Sequence, residues 1–179
     1  GIRNLGYVNI GNRQLTNSIR EIKSPADVNG LKIRTMSDPY QIATWEALGA
    51  SITPTAYSEL YTALQQGMVD GQENPLSNLY TSGMYEIQPY LTLTNHNASF
   101  VTMVINEDYF QSLPEEYQNV IIDGANYASA EANSSLHEAE EFILNEIGDD
   151  CQIYELSIEE IKDFRDATNG IRVRYIVKN

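Results

Sequence analysis

Arg34 lies in the run Leu31-Lys32-Ile33-Arg34-Thr35-Met36, whose alternation of apolar and polar residues reads as a half-buried strand, and it stands where that strand gives way to a helix. Side chains at strand ends in α/β sheets reach the crevice where ligands bind. A guanidinium there holds a carboxylate through two parallel hydrogen bonds, a geometry lysine cannot copy. The commoner meaning of such a residue is a surface arginine paired with a nearby acid, and spacing alone does not displace it. The densest polar segment is Asp70-Gly71-Gln72-Glu73-Asn74-Pro75-Leu76. Asn74 offers an amide donor to a ligand oxygen, against the plainer reading of a turn followed by a helix cap. Tyr57 could stack on or cover a ligand, and His96 could line the same cleft. Rim packing and a hydrogen-bonded structural histidine are their ordinary alternatives.

Other chemistries find less support. The two histidines, His96 and His137, lie on different elements, and nothing like Gly-x-Ser-x-Gly occurs. His137-Glu138-Ala139-Glu140-Glu141 resembles a zincin motif with its second histidine replaced by Glu141. A helix rich in Glu and Ala yields such strings by chance, so no metal is expected. Asp149-Asp150 reads as a helix-end turn, and neither EF-hand spacing nor a phosphate-cradling glycine loop is present. A single cysteine, Cys151, rules out an intrachain disulfide and a zinc site built on several thiolates. The formal net charge of −14 argues against nucleic acid and against an anionic membrane surface as partners. It does not fix the sign of a ligand, because one buried arginine can dominate a local pocket.

The elements that must position these residues follow from local signals. With 179 residues the chain is long enough for one ordinary domain, or for one and a half small lobes. No run of about 18 apolar residues exists to span a membrane, and no secretory leader opens the chain. Ile2 to Ile10 is strand-like, and Arg13 to Asn17 is a short extended piece. Ser24-Pro25-Ala26-Asp27 opens a helical turn with a capping-box acid. Asp38-Pro39 opens a helix to about Leu48, stopped by Gly49. Ser51 to Thr53 is a strand, Ser58 caps a helix through Gln66, and Pro75 starts a short helix toward Ser82. Tyr90 to Asn95 and Phe100 to Ile105 are strands. The alternation points to α/β architecture. Asn106 caps a short helix, and Pro114 opens a long one through about Gly148. The long helix shows an apolar stripe of Ile121, Ala125, Ala128, Ala132, Leu136, Ala139, Ile143 and Ile147. At 1.5 Å per residue it is roughly 50 Å long, enough to bridge two lobes. Cys151 to Tyr154 is a strand, and Ser157 with Glu160 caps a last helix. The tail, Ile171 to Val177, reads equally as strand or helix.

In series these segments resemble a known family. The order is Gly11-Asn12-Arg13-Gln14 with Thr16-Asn17-Ser18, then Ser24-Pro25-Ala26-Asp27-Val28-Asn29-Gly30-Leu31-Lys32-Ile33-Arg34. Leu48-Gly49-Ala50 and Thr53-Pro54-Thr55 follow. Next comes the stretch from Glu59-Leu60-Tyr61 through Gln65-Gln66-Gly67-Met68-Val69-Asp70 to Gly71-Gln72-Glu73-Asn74-Pro75-Leu76. Leu93-Thr94-Asn95-His96 and Leu113-Pro114 complete it. From about Leu5 to about Ala167 the chain resembles the DctP family, the solute receptors of tripartite ATP-independent periplasmic (TRAP) transporters.

The resemblance implies an α/β fold, a partial clamshell of the type II periplasmic binding protein kind with a long lobe-bridging helix. It implies that Arg34 clasps a ligand carboxylate, that Arg13 assists, that Asn74 contacts the ligand, that Tyr57 lines the cleft and that His96 contributes. The expected organisation is 1–10 as hinge and first-lobe strand, and 11–99 as the ligand-binding second lobe. Residues 100–139 return to the first lobe and carry the long helix, and 140–179 complete the second lobe. The expected function is capture of a small organic acid anion, such as a dicarboxylate, sugar acid, sialic acid or keto acid. The ligand would pass to membrane permease subunits, in the periplasm or tethered outside the membrane, with no enzymatic step and no cofactor. The alternatives are a sensor or interaction domain of the same fold, and a metal-dependent hydrolase. The chain begins near the middle of the family pattern, so most of a first lobe is expected to be absent. Exposed apolar surface and self-association through it are expected as well.

Overall fold

The computed structural model describes residues 1–176, with side chains through Ile171. It opens with one strand, β1 (Ile2–Asn17), where the sequence suggests two pieces. Gly11 is the reason. Its φ of +95° lets the chain turn without ending, and the pairing register slips between Asn9 and Asn12. β1 thereby serves two parts of the sheet. Its first part pairs antiparallel with β6, and its last residues pair antiparallel with β4 and β5.

The remaining elements follow in order: α1 (Pro25–Val28), β2 (Lys32–Arg34), α2 (Pro39–Ala47), β3 (Ser51–Ile52), α3 (Tyr57–Gln65), β4 (Gly71–Pro75), α4 (Leu76–Thr81) and a 3₁₀ turn at Met84–Ile87. Then come β5 (Tyr90–Leu93), β6 (Ala98–Asn106), α5 (Glu107–Ser112), α6 (Glu115–Ile147), β7 (Gln152–Glu155) and α7 (Ile158–Ile176). The tail is thus helical to Ile176, and Val177 lies outside the described residues. The sheet runs β3-β2-β4-β1-β5-β7, with β6 added beside β1.

Local chemistry sets most boundaries. Asp38 accepts a hydrogen bond from the Gln41 amide (2.8 Å) and caps α2. Asn106 does the same for α5 through Tyr109 (2.9 Å). The Ser157 amide donates to Glu160 (2.7 Å) and the Glu160 amide to the Ser157 hydroxyl (3.3 Å), a full capping box. Two starts differ from expectation. Helix α3 begins at Tyr57 rather than after Ser58, and Pro75 ends β4 instead of opening α4 from within.

Two apolar clusters cover the sheet. Leu60, Leu64, Leu79, Met84, Ile143 and Ile147 join α3, α4 and the end of α6. Leu15, Ile22, Val28, Ile33, Trp45 and Leu48 join α1, β2 and α2, with Phe164 of α7 packed alongside. Burying such side chains is the main stabilising contribution, at about 25 cal/mol per Å² of apolar surface. Cys151 is buried as well, and burial pushes its thiol to about 11, which leaves it unreactive at neutral pH.

Helix α6 has 33 residues, about 50 Å of length. Its expected apolar stripe needs correction at two places. Ala128 and Ala139 are exposed, and Ser129 and Glu140 are half-buried in their stead. Both face glycines of β1: a methyl group at Gly6 would meet the Ser129 hydroxyl, and one at Gly11 would meet the Glu140 carboxylate. Missing Cβ atoms open room that longer polar side chains fill. Apolar side chains are exposed along the same region, namely Ile2, Tyr7, Phe100 and Val104 on the β1–β6 ribbon, and Val120 and Tyr127 on α6.

Candidate anion-binding site

Strand β4 is the centre of the site, and its composition is unusual for an interior strand. Gly71, Gln72, Glu73, Asn74 and Pro75 are all buried, although only Pro75 is apolar in character. Interior strands of parallel sheets are ordinarily runs of Val, Ile and Leu. The register sets Gln14 beside Asn74, Leu15 beside Glu73 and Thr16 beside Gln72. Alternation therefore sends Gln72 and Asn74 to one face and Glu73 to the other.

Glu73 is fully buried and carries the heaviest load. Arg13 donates through Nε and Nη2 to its two carboxylate oxygens, and Nη2 also reaches the Glu73 carbonyl (2.5 Å). His96 Nε2 lies 3.1 Å from Glu73 Oε2, and a proton on that nitrogen suits the geometry because a carboxylate only accepts. Burial alone would raise the Glu73 carboxyl. The bonds from His96 and Arg13 outweigh it and hold the group below the usual carboxylate range.

The other predicted residues gather around this pair. Asn74 Oδ1 accepts from Arg13 Nη2 (3.0 Å), and its amide nitrogen donates to Gln72 Oε1 (2.5 Å). Gln72 donates in turn to the Thr16 hydroxyl (2.8 Å). Asn74 thus has both ends of its amide engaged within the sheet. The Arg13 guanidinium, expected to assist in gripping a ligand, is engaged with Glu73 and Asn74 through Nε and Nη2.

Arg34 differs from Arg13. It is 2% exposed, at the end of β2 beside Gln72. Its Nε (2.9 Å) and Nη2 (2.5 Å) both donate to the backbone carbonyl of Thr55, in the loop before α3. Its Nη1 is buried with no hydrogen-bond partner among the described residues. Burial pulls its pKa down, the Glu73 charge opposes that, and Arg13 adds to it. The guanidinium remains charged in any case. The same electrostatic neighbourhood includes Tyr57, the half-exposed first residue of α3.

The His96 ring meets Trp45 edge-on, with centroids 5.1 Å apart. Beside it, between α2 and α7, opens a cavity of about 320 Å³ lined by Gln41, Trp45, His96, Phe164 and Arg165 among others. Arg34 is not part of that wall. His137 and Glu141, the remnant of a zincin-like string, stand exposed on α6, 3.4 Å apart. No cluster of three or more potential metal ligands occurs among the described residues.

Arg13, Asn74 and His96 are therefore bonded into one buried polar centre around Glu73, with Arg34 beside it and Tyr57 within electrostatic reach of Arg34. Arg13 is expected from the resemblance, and the other four from their own residue types and positions as well. Sequence reading missed Glu73 as the hub, Gln72 and Thr16 as its frame, and Thr55 as the brace of Arg34. The available signal was the density of polar residues between Gly71 and Pro75.

The chain is thus an α/β lobe with a buried arginine at a strand end and a polar central strand. Residues 1–178 match the family described as bacterial extracellular solute-binding protein, family 7 (DctP), and the chain belongs to that family. It is 44% identical over 125 residues to a solute-binding protein of Verminephrobacter eiseniae, covering 70% of this chain and 37% of that relative. It is 34% identical over 158 residues to the ectoine-binding periplasmic protein TeaA of Halomonas elongata, covering 87% of this chain and 46% of TeaA. The chain thus spans less than half the length of these curated relatives. Among solved structures, a TRAP periplasmic solute-binding protein of Shewanella oneidensis with bound succinate superposes with a TM-score of 0.91 at 31% identity, covering 98% of this chain and 58% of that one.

Proposed function

We propose that this chain carries the carboxylate-gripping part of a periplasmic TRAP-transporter receptor, which captures a small organic acid anion and delivers it to membrane permease subunits. One observation carries the reading: Arg34, buried at the end of β2, keeps Nη1 without a partner while its other nitrogens hold Thr55. Leaving a buried charged donor unpaired costs several kcal/mol, and a carboxylate removes that penalty. The local charges favour the same guest. Arg13 and Glu73 offset one another, so the guanidinium of Arg34 is the uncompensated charge. Asn74, whose Nδ2 keeps a second N–H besides the one given to Gln72, would orient the guest, His96 would support the site through Glu73, and Tyr57 would cover it.

The ligands bound in related structures fit this chemistry, with succinate in the Shewanella protein and β-D-galacturonate in one from Sulfitobacter. In this reading residues 11–99 and 140–179 make the anion-binding lobe, and residues 1–10 and 100–139 belong to the frame of another lobe. The exposed apolar side chains of the β1–β6 ribbon support that division. No described helix is long and apolar enough to cross a membrane.

Calorimetric titration with a panel of mono- and dicarboxylates tests the proposal. Arg34→Ala should weaken binding by about 2–5 kcal/mol, as for a buried charge pair losing one partner. Unchanged affinity in that variant would remove Arg34 from the site and the proposal with it.

A further inference from the structure

Asn95 is the one non-glycine residue with positive φ (+45°) among the described residues. It lies between Thr94 and His96, in the turn that links β5 to β6. A left-handed asparagine is tolerated but needs something to hold it. Gln14 does so. The Asn95 backbone amide donates to Gln14 Oε1 (2.9 Å), and Gln14 Nε2 donates to Asn95 Oδ1 (2.8 Å). The two amides close a reciprocal pair, and Gln14 is 3% exposed, so water competes poorly for either bond. Two further ties bind the turn to β1: the Arg13 amide donates to the Asn97 carbonyl (2.8 Å), and the Thr94 hydroxyl lies 3.5 Å from the Arg13 carbonyl.

The consequence is the seat of the His96 ring. With the turn fixed, Nδ1 meets the Thr94 hydroxyl (2.7 Å), Nε2 meets Glu73 (3.1 Å) and the ring edge meets Trp45. Backbone rotation at Asn95 would swing the next side chain away from all three. We infer that Gln14 is a positioning residue, which clamps Asn95 in its left-handed conformation and so fixes the His96 ring against Glu73. On the reading proposed above, that contact keeps Glu73 and Arg13 in place behind the anion. The clamp then contributes to affinity without touching the ligand.

Gln14→Leu keeps the volume and removes both bonds. In unliganded wild-type protein, long-range proton–nitrogen spectra should show His96 as a single tautomer with a slowly exchanging Nε2 proton. Gln14→Leu should average the two ring nitrogens and expose that proton to exchange. Asn95→Asp keeps an acceptor oxygen and the backbone donor, and should preserve the wild-type signature. Asn95→Gly, whose backbone is at ease with positive φ, is the variant to use if Gln14→Leu does not fold, and it should release the ring in part. With succinate as the probe, affinity in Gln14→Leu should fall roughly tenfold, the scale for one oriented hydrogen bond lost at a buried site. An unchanged His96 spectrum in Gln14→Leu overturns the clamp. A changed His96 spectrum in Gln14→Leu, together with a wild-type protein that binds no carboxylate, upholds the clamp and overturns the proposed function instead.

Discussion

Strand β4 and the β1–β6 ribbon break the usual burial rule in opposite directions. In β4 the polar side chains Gln72, Glu73 and Asn74 are inside. On the ribbon the apolar side chains Ile2, Phe100 and Val104 are outside. Buried polar groups and exposed apolar clusters are the informative departures from an ordinary fold. Every buried side-chain polar atom of β4 has a partner, whereas Nη1 of the neighbouring Arg34 has none among the described residues. That region is specified to the atom, as the small charged guest proposed above would require. The ribbon offers area without directional groups, which suits a broad apolar surface.

The largest expected effect tests whether the polar centre is as tightly coupled as its bonds suggest. Glu73→Ala leaves the Arg13 guanidinium buried without its acid, and should destabilise the fold by about 3–5 kcal/mol. Urea unfolding followed by circular dichroism measures it. A loss under 1 kcal/mol would mean that water reaches Arg13 and that the centre is less closed than its geometry indicates. The same carboxylate makes stability depend on pH. Its folded pKa lies below the ordinary 4.5, so the unfolded chain takes up its proton first as pH falls. Its contribution is present in full above that ordinary value and is lost as pH drops through the lower, folded one. Glutamine cannot titrate, so the stability gap between wild type and Glu73→Gln should narrow from pH 6 toward pH 3. A gap that stays constant would show that Glu73 is not depressed.

A smaller effect belongs to the seam between the two regions. Gly11 has positive φ and stands against Glu140 of α6. Gly11→Ala adds backbone strain of about 1–2 kcal/mol, the usual penalty for left-handed geometry with a Cβ. Thermal unfolding should show a corresponding drop. If Glu140, whose carboxyl burial already raises, swings out at no penalty, the loss stays at the lower end.

The two regions also differ in how well the sequence announces them. Caps at Asp38, Asn106 and Ser157 depend on neighbours three residues away, and the helices they open appear where expected. The same holds for α6, whose ends need only Pro114 and Gly148. Strand β4 gives no such signal. Gly-Gln-Glu-Asn-Pro has no apolar alternation, so strand and turn stay open in the sequence, and pairing with β1 and β2 makes it a strand. The site divides in the same way. Arg34 and Asn74 are visible as donors of the right type. Glu73 is not, because an acid at an anion site contradicts simple charge matching until Arg13 and His96 are seen to surround it. The exchange of Ala128 and Ala139 for Ser129 and Glu140 on α6 is equally hidden, since it depends on glycines more than a hundred positions away in β1.

The smallest effect separates the ribbon most sharply from β4. Phe100 is 62% exposed and pairs with Asn9 of β1. Threonine, being β-branched, favours a strand as the aromatic phenylalanine does, so Phe100→Thr removes apolar area without disturbing the ladder. In a chain whose ribbon faces water, stability should change by no more than about 0.5 kcal/mol, as at other exposed positions. Solubility should rise, because an exposed apolar patch shrinks. A larger loss that depends on protein concentration carries a different meaning. The ribbon would then be covered by a second copy of the chain, and its exposed side chains would be an interface in the dimer. Sedimentation of wild type and Phe100→Thr across a range of concentrations distinguishes the two, since a dimer held by the ribbon should dissociate in the variant.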